Sequence, residues 1–329
     1  MNILVFSSKA HDRRYFAKHN QDGQFVLTFQ EARLSAQTVS LCAGYQAICV
    51  FVNDHLDASI IAQLKQLSVK HIALRCAGFN NVDLNAAKQA GISVSRVPAY
   101  SPEAVAEHTI ALMMTLNRKI HKAYNRVREN NFSLDGLIGF NFHGKTVGIV
   151  GFGKIGRCLA KILSGLGCKI LCSDPTVPTK APKNVEFVSL QTLFSHSDII
   201  SLHCPLTPES QHMINADTIA QMKDNVMLIN TSRGGLVDTR AIINGLKTHK
   251  IGYLGLDVYE MESDIFFEDK SWEIMQDDMF DRLIGFPNVL VTGHQGFFTH
   301  EALTQIATIT LSNLALAKQN KHDSTTFLV

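Results

Sequence analysis

Short runs of β-branched and other apolar residues alternate with amphipathic segments along nearly the whole chain, and this alternation restricts the fold more than any other feature. In the first third the runs are ILVF (3–6), FVLTF (25–29), AICVFV (47–52), HIALRC (71–76) and ISVSRV (92–97), with helical patterns such as 58–67 and 84–90 between them. A second series opens near residue 145 with TVGIVG, KILCSD, DIISLH, NVMLINT, YLGLDV and NVLVTGH. Strands this uniformly apolar are expected where both faces of a sheet are covered. Strand–helix–strand alternation at this spacing predicts doubly wound parallel sheets in an α/β chain. Between the two series a helical pattern runs from SPEAVAEH at 101 to about Asn130, with Ser101 as N-cap and Pro102 in the first helical position. A single helix of that length predicts a bridge between two domains and a boundary near residue 100. The stretch 300–320 is helical again and follows the last strand, so it is expected to return to the first domain.

Length agrees with two domains, because 329 residues exceed the roughly 250–300 at which a single core stops growing. With 31 Lys plus Arg against 29 Asp plus Glu, the net charge of +2 lacks the basic footprint of a nucleic-acid partner. No run reaches the ~18 apolar residues of a membrane-spanning helix, and MNILVFSSKAHDRR reads as a first strand rather than a signal peptide. The seven cysteines include no CxxC pair, which points to free thiols in a reducing cytoplasm and to no metal site.

One turn carries nucleotide chemistry. In VGIVGFGKIGR, Gly151, Gly153 and Gly156 have the GxGxxG spacing directly after an apolar strand and at the start of a helical pattern. Gly151 permits the tight turn, Gly153 lets backbone approach a pyrophosphate, and Gly156 allows helix and strand to pack closely. The N–H groups that open the helix, around Lys154 and Ile155, supply the anion site. Asp174 ends the next strand, eighteen residues after Gly156, where a carboxylate accepts hydrogen bonds from the adenine ribose hydroxyls. The same charge repels the extra phosphate of NADP, so NAD is the expected cofactor.

Ligands of open parallel sheets bind beyond the carboxyl ends of the strands. There the later strands end in His203-Cys204-Pro205, Thr231-Ser232-Arg233, Asp257 through Glu262, and His294-Gln295-Gly296. A guanidinium, carboxylates and imidazoles next to a dinucleotide suit hydride transfer to a carbonyl. The imidazole delivers the proton, a carboxylate orients it and favours its charged form, and Arg holds a substrate carboxylate by its planar fork. From position alone, His203 competes with His294 and Glu260 with Glu262, while Glu268 and Asp269 read as a solvated acidic loop.

The motifs RCAGFNNVDL (75–84), VPAYSPEAVAEH (97–108), VGIVGFGKIGR, SLHCPLTPES (201–210), INTSRGG (229–235), GLDVYEMESDIFFED (255–269) and NVLVTGHQGF (288–297) are specific enough together to name a family. The chain resembles the D-isomer-specific 2-hydroxyacid dehydrogenases, most closely their D-lactate dehydrogenase branch. That likeness implies Arg233, Glu262 and His294 as the catalytic trio. It implies that Asp257, Thr231 and Ser232 lie near the nicotinamide, that Cys204 and Pro205 flank the cofactor, and that the N–H groups of Ala77 and Gly78 with the Tyr100 hydroxyl bind the substrate carboxylate. It also implies a discontinuous flavodoxin-like catalytic domain, 1–100 plus 299–329, hinged to a Rossmann NAD-binding domain, 101–298, with closure excluding water. The expected reaction is NADH-dependent reduction of pyruvate to D-lactate by a soluble homo-oligomer, dimer or tetramer. Phe79, Tyr100, Phe297 and Phe298 are expected to crowd the pocket in favour of a methyl group. The alternatives are a reductase of bulkier 2-oxo acids, such as 2-oxoisocaproate or phenylpyruvate, and an NAD-sensing corepressor-like binding protein. Phe152 stands in the glycine turn where family members often carry a small residue, and Gln295-Gly296 after the histidine differs from the Ser- or Thr-rich versions of more distant branches.

Overall fold

A computed structural model describes residues 1–20, 23–177, 179 and 182–329. The chain forms two compact units, Met1–Ser101 with Phe297–Val329, and Pro102–Gly296.

The first unit holds five parallel strands, β1 (Asn2–Val5), β2 (Val26–Phe29), β3 (Ala47–Val50), β4 (His71–Leu74) and β5 (Ser93–Ser95). Their spatial order, β2-β1-β3-β4-β5, is the flavodoxin-like winding. Alternation along each strand sorts the core into two faces. Leu4, Phe6, Ile48, Val50, Ile72 and Leu74 pack under α2 (Ala58–Gln66) and α3 (Leu84–Ala90), through Ile60, Ile61, Leu64 and Ala87. Ile3, Val5, Ala47, Cys49 and Ala73 face α1 (Ala10–His19) and the C-terminal helix (His300–Lys318), through Phe16, Leu303, Ala307, Leu311 and Leu314. Helix 300–318 thus belongs to the unit built by the N-terminal strands. Asp57 and Asp83 cap α2 and α3, each accepting a hydrogen bond at 2.9 Å from an N–H of the first turn.

The second unit has seven parallel strands: β6 (Thr146–Val150), β7 (Lys169–Ser173), β8 (Val185–Phe187), β9 (Ile199–Leu202), β10 (Val226–Asn230), β11 (Ile251–Leu256) and β12 (Val289–Val291). The order β12-β11-β10-β9-β6-β7-β8 reverses direction between β6 and β9, which is the Rossmann switch point. One face buries Leu112, Met113 and Leu116 of α4 (Pro102–Arg118) with Leu159 and Leu163 of α6 (Lys154–Gly165); the other buries Leu193, Ile219, Ile242 and Leu246.

Three local expectations change. The single helix from 101 to 130 is two helices, because Lys119 adopts a left-handed conformation (φ 49°) and α5 (Ile120–Arg128) starts afresh. Asn117 explains the stop: its side chain pairs with both the N–H and the C=O of Phe140 at 2.7 Å, fixing the end of α4, while α5 has no buried residue to hold it in line. Strand β8 is an added edge strand of three residues, too short to show a period. The runs at 47–52, 71–76 and 92–97 leave the sheet earlier than their apolar pattern, so Phe51, Arg75, Cys76 and Arg96 lie beyond the strand ends. Among the described residues no helix is long and apolar enough to cross a membrane, and no His, Cys, Asp and Glu cluster has metal-binding geometry.

His71 of β4 gives the fold a pH dependence. Its ring nitrogens meet the hydroxyls of Ser93 and Ser95 at 2.8 and 2.9 Å, and burial, helped by the charge of His322, pushes its pKa down to about 3. The unfolded chain takes up this proton near 6.5. Its contribution to stability is therefore complete above about pH 6.5 and is lost as pH falls from there towards 3. Urea unfolding between pH 7 and 4 is expected to show this slope, and His71→Gln to flatten it by up to about 1.4 kcal/mol per pH unit. An unchanged slope in the variant would assign the proton uptake to another group.

Candidate active site

Every strand of the second unit from β6 to β12 delivers its C-terminal loop to one edge of the sheet. At the end of β6, Gly151 takes φ 97°, and a Cβ there would lie 2.7 Å from the carbonyl of His203. A Cβ on Gly156 would lie 2.2 Å from the Gly151 carbonyl oxygen, so the turn and α6 can meet only through glycine. Gly153, by contrast, opens onto space, and as N-cap of α6 it has no side chain occupying the N–H groups of the first turn, from Lys154 onward. Asp174, just after β7, accepts from the Phe152 N–H at 2.6 Å and the Thr176 N–H at 2.7 Å, which fixes the carboxylate while its remaining lone pairs stay available to hydroxyl donors. An open anion cradle with a fixed carboxylate beyond the neighbouring strand fits a dinucleotide whose ribose carries free hydroxyls.

Beyond β9, Cys204 and Pro205 form the next loop. Ser232 donates to the Cys204 carbonyl at 2.7 Å, tying the β9 end to the β10 end, and Thr231 meets Thr109 of α4 at 2.9 Å. His203 lies beside the glycine turn: its Nε2 meets Ser201 Oγ at 2.8 Å, and desolvation pushes its pKa down to about 4. No carboxylate faces it to favour its charged form, in contrast to His294.

Arg233 follows, braced by its Nη1 on the Ser232 carbonyl (2.7 Å) and by Asn230, whose side chain donates to the Arg233 carbonyl (2.8 Å). The next residue, Gly234, approaches the β11 loop so closely that a Cβ would fall 2.1 Å from the Tyr259 carbonyl. That contact draws the loop bearing Arg233 against the one bearing Glu262. Glu260 is held elsewhere, by His212 Nε2 at 2.6 Å and the Thr239 hydroxyl at 2.9 Å. Glu262 opens a short 3-10 turn (Glu262–Asp264), takes the Tyr259 N–H on Oε2 at 3.0 Å and presents Oε1 to His294 Nδ1 at 2.9 Å. Phe267 lies beside the imidazole, ring centroids 5.7 Å apart.

His294 itself sits in the left-handed region, φ 52°. That conformation costs a non-glycine residue about 1–2 kcal/mol. Asp257 offsets it. Its carbonyl accepts the His294 N–H at 2.8 Å, and its carboxylate takes the N–H groups of Gln295 (2.9 Å) and Gly296 (2.8 Å). Hydrogen bonds to a charged acceptor contribute about 1.5–3 kcal/mol each, enough to hold the turn. Burial alone would raise the Asp257 pKa, but hydrogen bonds from His108 and Thr292, the His108 charge and the Gln295 N–H outweigh it and hold the carboxyl below its ordinary value.

The remaining candidates lie in the first unit. Ala77 and Gly78 follow β4 in a loop braced by Arg96 Nη1 on the Ala77 carbonyl (3.0 Å) and Cys76 Sγ on that of Gly78 (3.3 Å). Phe297 contacts Tyr100 (6.1 Å), Phe298 (5.9 Å) and Phe51 (5.9 Å) ring to ring. Phe79 is not part of this cluster: it packs against the core with the Arg96 guanidinium 4.9 Å over its ring. The sequence pattern missed Phe51, which it read as the interior of a strand, and it missed Thr292 and His108, whose partner Asp257 is far away along the chain.

The sequence profile of the D-isomer specific 2-hydroxyacid dehydrogenase NAD-binding domain matches residues 110–296. The D-lactate dehydrogenase of Escherichia coli (strain K12) is 54% identical over 316 residues, 96% of either chain. The chain belongs to the D-isomer specific 2-hydroxyacid dehydrogenase family. A 2-hydroxyacid dehydrogenase homolog of Haemophilus influenzae is 54% identical over 98% of this chain and 97% of its own. The apo-structure of the Escherichia coli D-lactate dehydrogenase matches all of both chains with a TM-score of 0.91 at 50% identity. The D-lactate dehydrogenase of Lactobacillus jensenii, solved with NAD+, matches 98% of each chain at 0.80 and 32% identity. The fold, the glycine turn and the family agree on NAD as the cofactor.

Gly234 provides a test of how the loops of such a dehydrogenase are set. Gly234→Ala must push the Tyr259 carbonyl away, separating Arg233 from Glu262. It is expected to lower kcat with a 2-oxo acid by about tenfold or more while circular dichroism shows an intact fold. An unchanged kcat would show that the close approach does not matter to turnover.

Proposed function

We propose that the protein reduces pyruvate to D-lactate, and oxidises D-lactate in reverse, with Arg233, Glu262 and His294 carrying the chemistry. The observation that supports this most is the 2.9 Å bond from His294 Nδ1 to Glu262, on the loop beside Arg233. NADH supplies the hydride to the carbonyl carbon when bound. Arg233 holds the substrate carboxylate and polarises the ketone. Glu262 engages Nδ1, fixes the ring and stabilises its charged form, so that Nε2 is the nitrogen that gives its proton to the carbonyl oxygen. In reverse, neutral His294 accepts that proton. In this reading the N–H groups of Ala77 and Gly78 and the Tyr100 hydroxyl also donate to the carboxylate. Asp174 takes the ribose hydroxyls, the cradle at Gly151–Gly156 takes the pyrophosphate, Cys204 and Pro205 line the cofactor, and Thr231, Ser232 and Asp257 border the nicotinamide. The D configuration of the product rests on family membership and on the name of the E. coli relative. We take Tyr100, Phe297 and Phe298, which with Phe51 form a ring cluster in the first unit, to favour a methyl side chain over a bulky one.

The first measurement is NADH oxidation with pyruvate, 2-oxoisocaproate, phenylpyruvate and hydroxypyruvate in parallel. Pyruvate is expected to give the highest kcat/KM, because the ratio reports differential transition-state binding. His294→Gln is expected to lower kcat by about 10²–10⁴-fold. A preference for a bulkier acid would keep the mechanism and overturn the substrate assignment. NADH binding without turnover of any 2-oxo acid would replace the enzyme reading by a binding protein.

We further infer a homo-oligomer in the cytoplasm. All seven cysteines are free thiols, which suits a reducing compartment. Ile120, Tyr124 and Val127 recur on one face of α5 and are more than half exposed, and exposed Phe132, Leu134 and Ile138 follow them. An apolar stripe of this extent calls for a cover, and in this family a second copy of the chain is the natural one. Light scattering is expected to give a multiple of the chain mass, and Tyr124→Glu to shift it towards the monomer; a monomeric wild type would refute the inference.

A further inference from the structure

His108 has no place in the reaction as described, yet it sits at the base of the loop that carries the proton donor. It projects from α4, which is held on both sides: Thr109 hydrogen-bonds Thr231, and Leu112, Met113 and Leu116 are locked in the core. Its Nε2 lies 3.1 Å from Asp257 Oδ1 and 3.0 Å from the Thr292 hydroxyl. Thr292 Oγ1 is itself 2.5 Å from the same carboxylate oxygen. The other Asp257 bonds run to the N–H groups of Gln295 and Gly296, the two residues after His294. Gly296 packs directly on the pair, since a Cβ there would stand 3.0 Å from Asp257 Oδ2 and 3.4 Å from His108 Cδ2. The chain of contacts is therefore continuous from a core-anchored helix, through one imidazole and one buried carboxylate, to the backbone of the left-handed residue that bears the second imidazole.

We propose that His108 is a positioning residue for His294: its Nε2–H bond orients the Asp257 carboxylate, which fixes the 294–296 turn and thereby keeps Nδ1 of His294 on Glu262. Without that bond the carboxylate keeps its backbone partners but loses the only side-chain anchor that α4 supplies among the described residues. Thr292, the other side-chain partner, lies on the same loop as His294 and moves with it. A turn held in an unfavourable backbone conformation by a carboxylate free to rotate samples other geometries, and proton transfer requires one of them. Nothing in this role needs His108 to touch substrate or cofactor.

The inference rests on the reading of His294 as proton donor, and the experiment separates the two. His108→Leu removes the donor, while His108→Gln keeps an N–H near the Nε2 position. In cofactor-free protein, hydrogen–deuterium exchange of the segment 292–297 is expected to quicken about tenfold or more in His108→Leu and to return close to wild type in His108→Gln. With NADH and pyruvate, kcat is expected to fall about ten- to a hundredfold in His108→Leu, with the NADH dissociation constant within about twofold, and to be restored within about threefold by His108→Gln. Should His108→Leu fail to fold, His108→Asn, whose shorter amide cannot reach Asp257 Oδ1, replaces it. Equal losses in the Leu and Gln variants, or exchange at 292–297 unmoved by either, would overturn the proposal. Quickened exchange with an unchanged kcat would overturn it too, and would mark His108 as structural only. A wild-type enzyme inactive on every 2-oxo acid, with exchange responding as expected, would instead remove the functional reading and leave the anchoring of the loop in place.

Discussion

In a sheet whose strands all run parallel, each strand hands the chain to a loop at the same edge, and the chemistry of the second unit follows from that constraint. The strand pairs from β6 to β12 are parallel throughout. Residues that are more than a hundred positions apart in sequence therefore become neighbours without any special device: the glycine turn after β6, Arg233 after β10, Glu262 after β11 and His294 after β12. What the sheet cannot supply is precision within the edge, because loops are free to bend. That is provided by a second layer of contacts between adjacent loops, namely Ser232 on the Cys204 carbonyl, Gly234 against Tyr259, and Asp257 on Gln295 and Gly296.

Two buried carboxylates show how environment decides what such contacts are worth. Asp54 is fully buried in the first unit and accepts from Ser7 Oγ and from the N–H groups of Leu34 and Phe51, yet burial prevails and its pKa is raised. Asp257, 1% exposed, ends up lowered. The difference lies in the partners: Asp257 faces an imidazole and a hydroxyl on the same oxygen as a backbone N–H, whereas the Arg75 guanidinium near Asp54 is already committed to Asp12 and the Ser7 carbonyl. A carboxylate held by several donors makes a rigid anchor, and the loop that bears His294 hangs on the one whose partners favour its charged form.

Much of this was legible in the residues, and the rest was hidden for identifiable reasons. Strand–helix alternation gave the doubly wound parallel sheets, and the GxGxxG turn with Asp174 the cofactor, because periodicity and glycine spacing are local properties; the winding order of each sheet came with the family resemblance. The choice of Glu262 over Glu260 was not local. Both flank the same loop, and the resemblance alone preferred Glu262; that Glu260 meets His212 and Thr239 while Glu262 faces His294 is visible only in the fold. His203 and His294 likewise follow strands of the same kind; their partners separate them, the Ser201 hydroxyl for one and the Glu262 carboxylate for the other, and those contacts exist only in the folded chain. The division of the long helix at Lys119 was invisible because α5 keeps a helical pattern of its own. Its apolar residues imitate a core face while none of them is buried.

That break also explains why the helix can serve two ends. Up to Asn117, α4 presents a continuous buried face, Val105, Thr109, Leu112, Met113 and Leu116, and is as fixed as the sheet beneath it. His108 lies on that stretch, so whatever it touches inherits the rigidity of the core. Beyond Lys119 the chain leaves the core, and its apolar residues face outward. Had the helix run on unbroken, α5 would share its axis and continue the line of the buried helix into solvent. A left-handed residue interrupts the ladder of i→i−4 bonds at that point. The left-handed turn thus separates the buried stretch that carries His108 from the exposed apolar stretch of α5, at the local cost of one unfavourable backbone conformation.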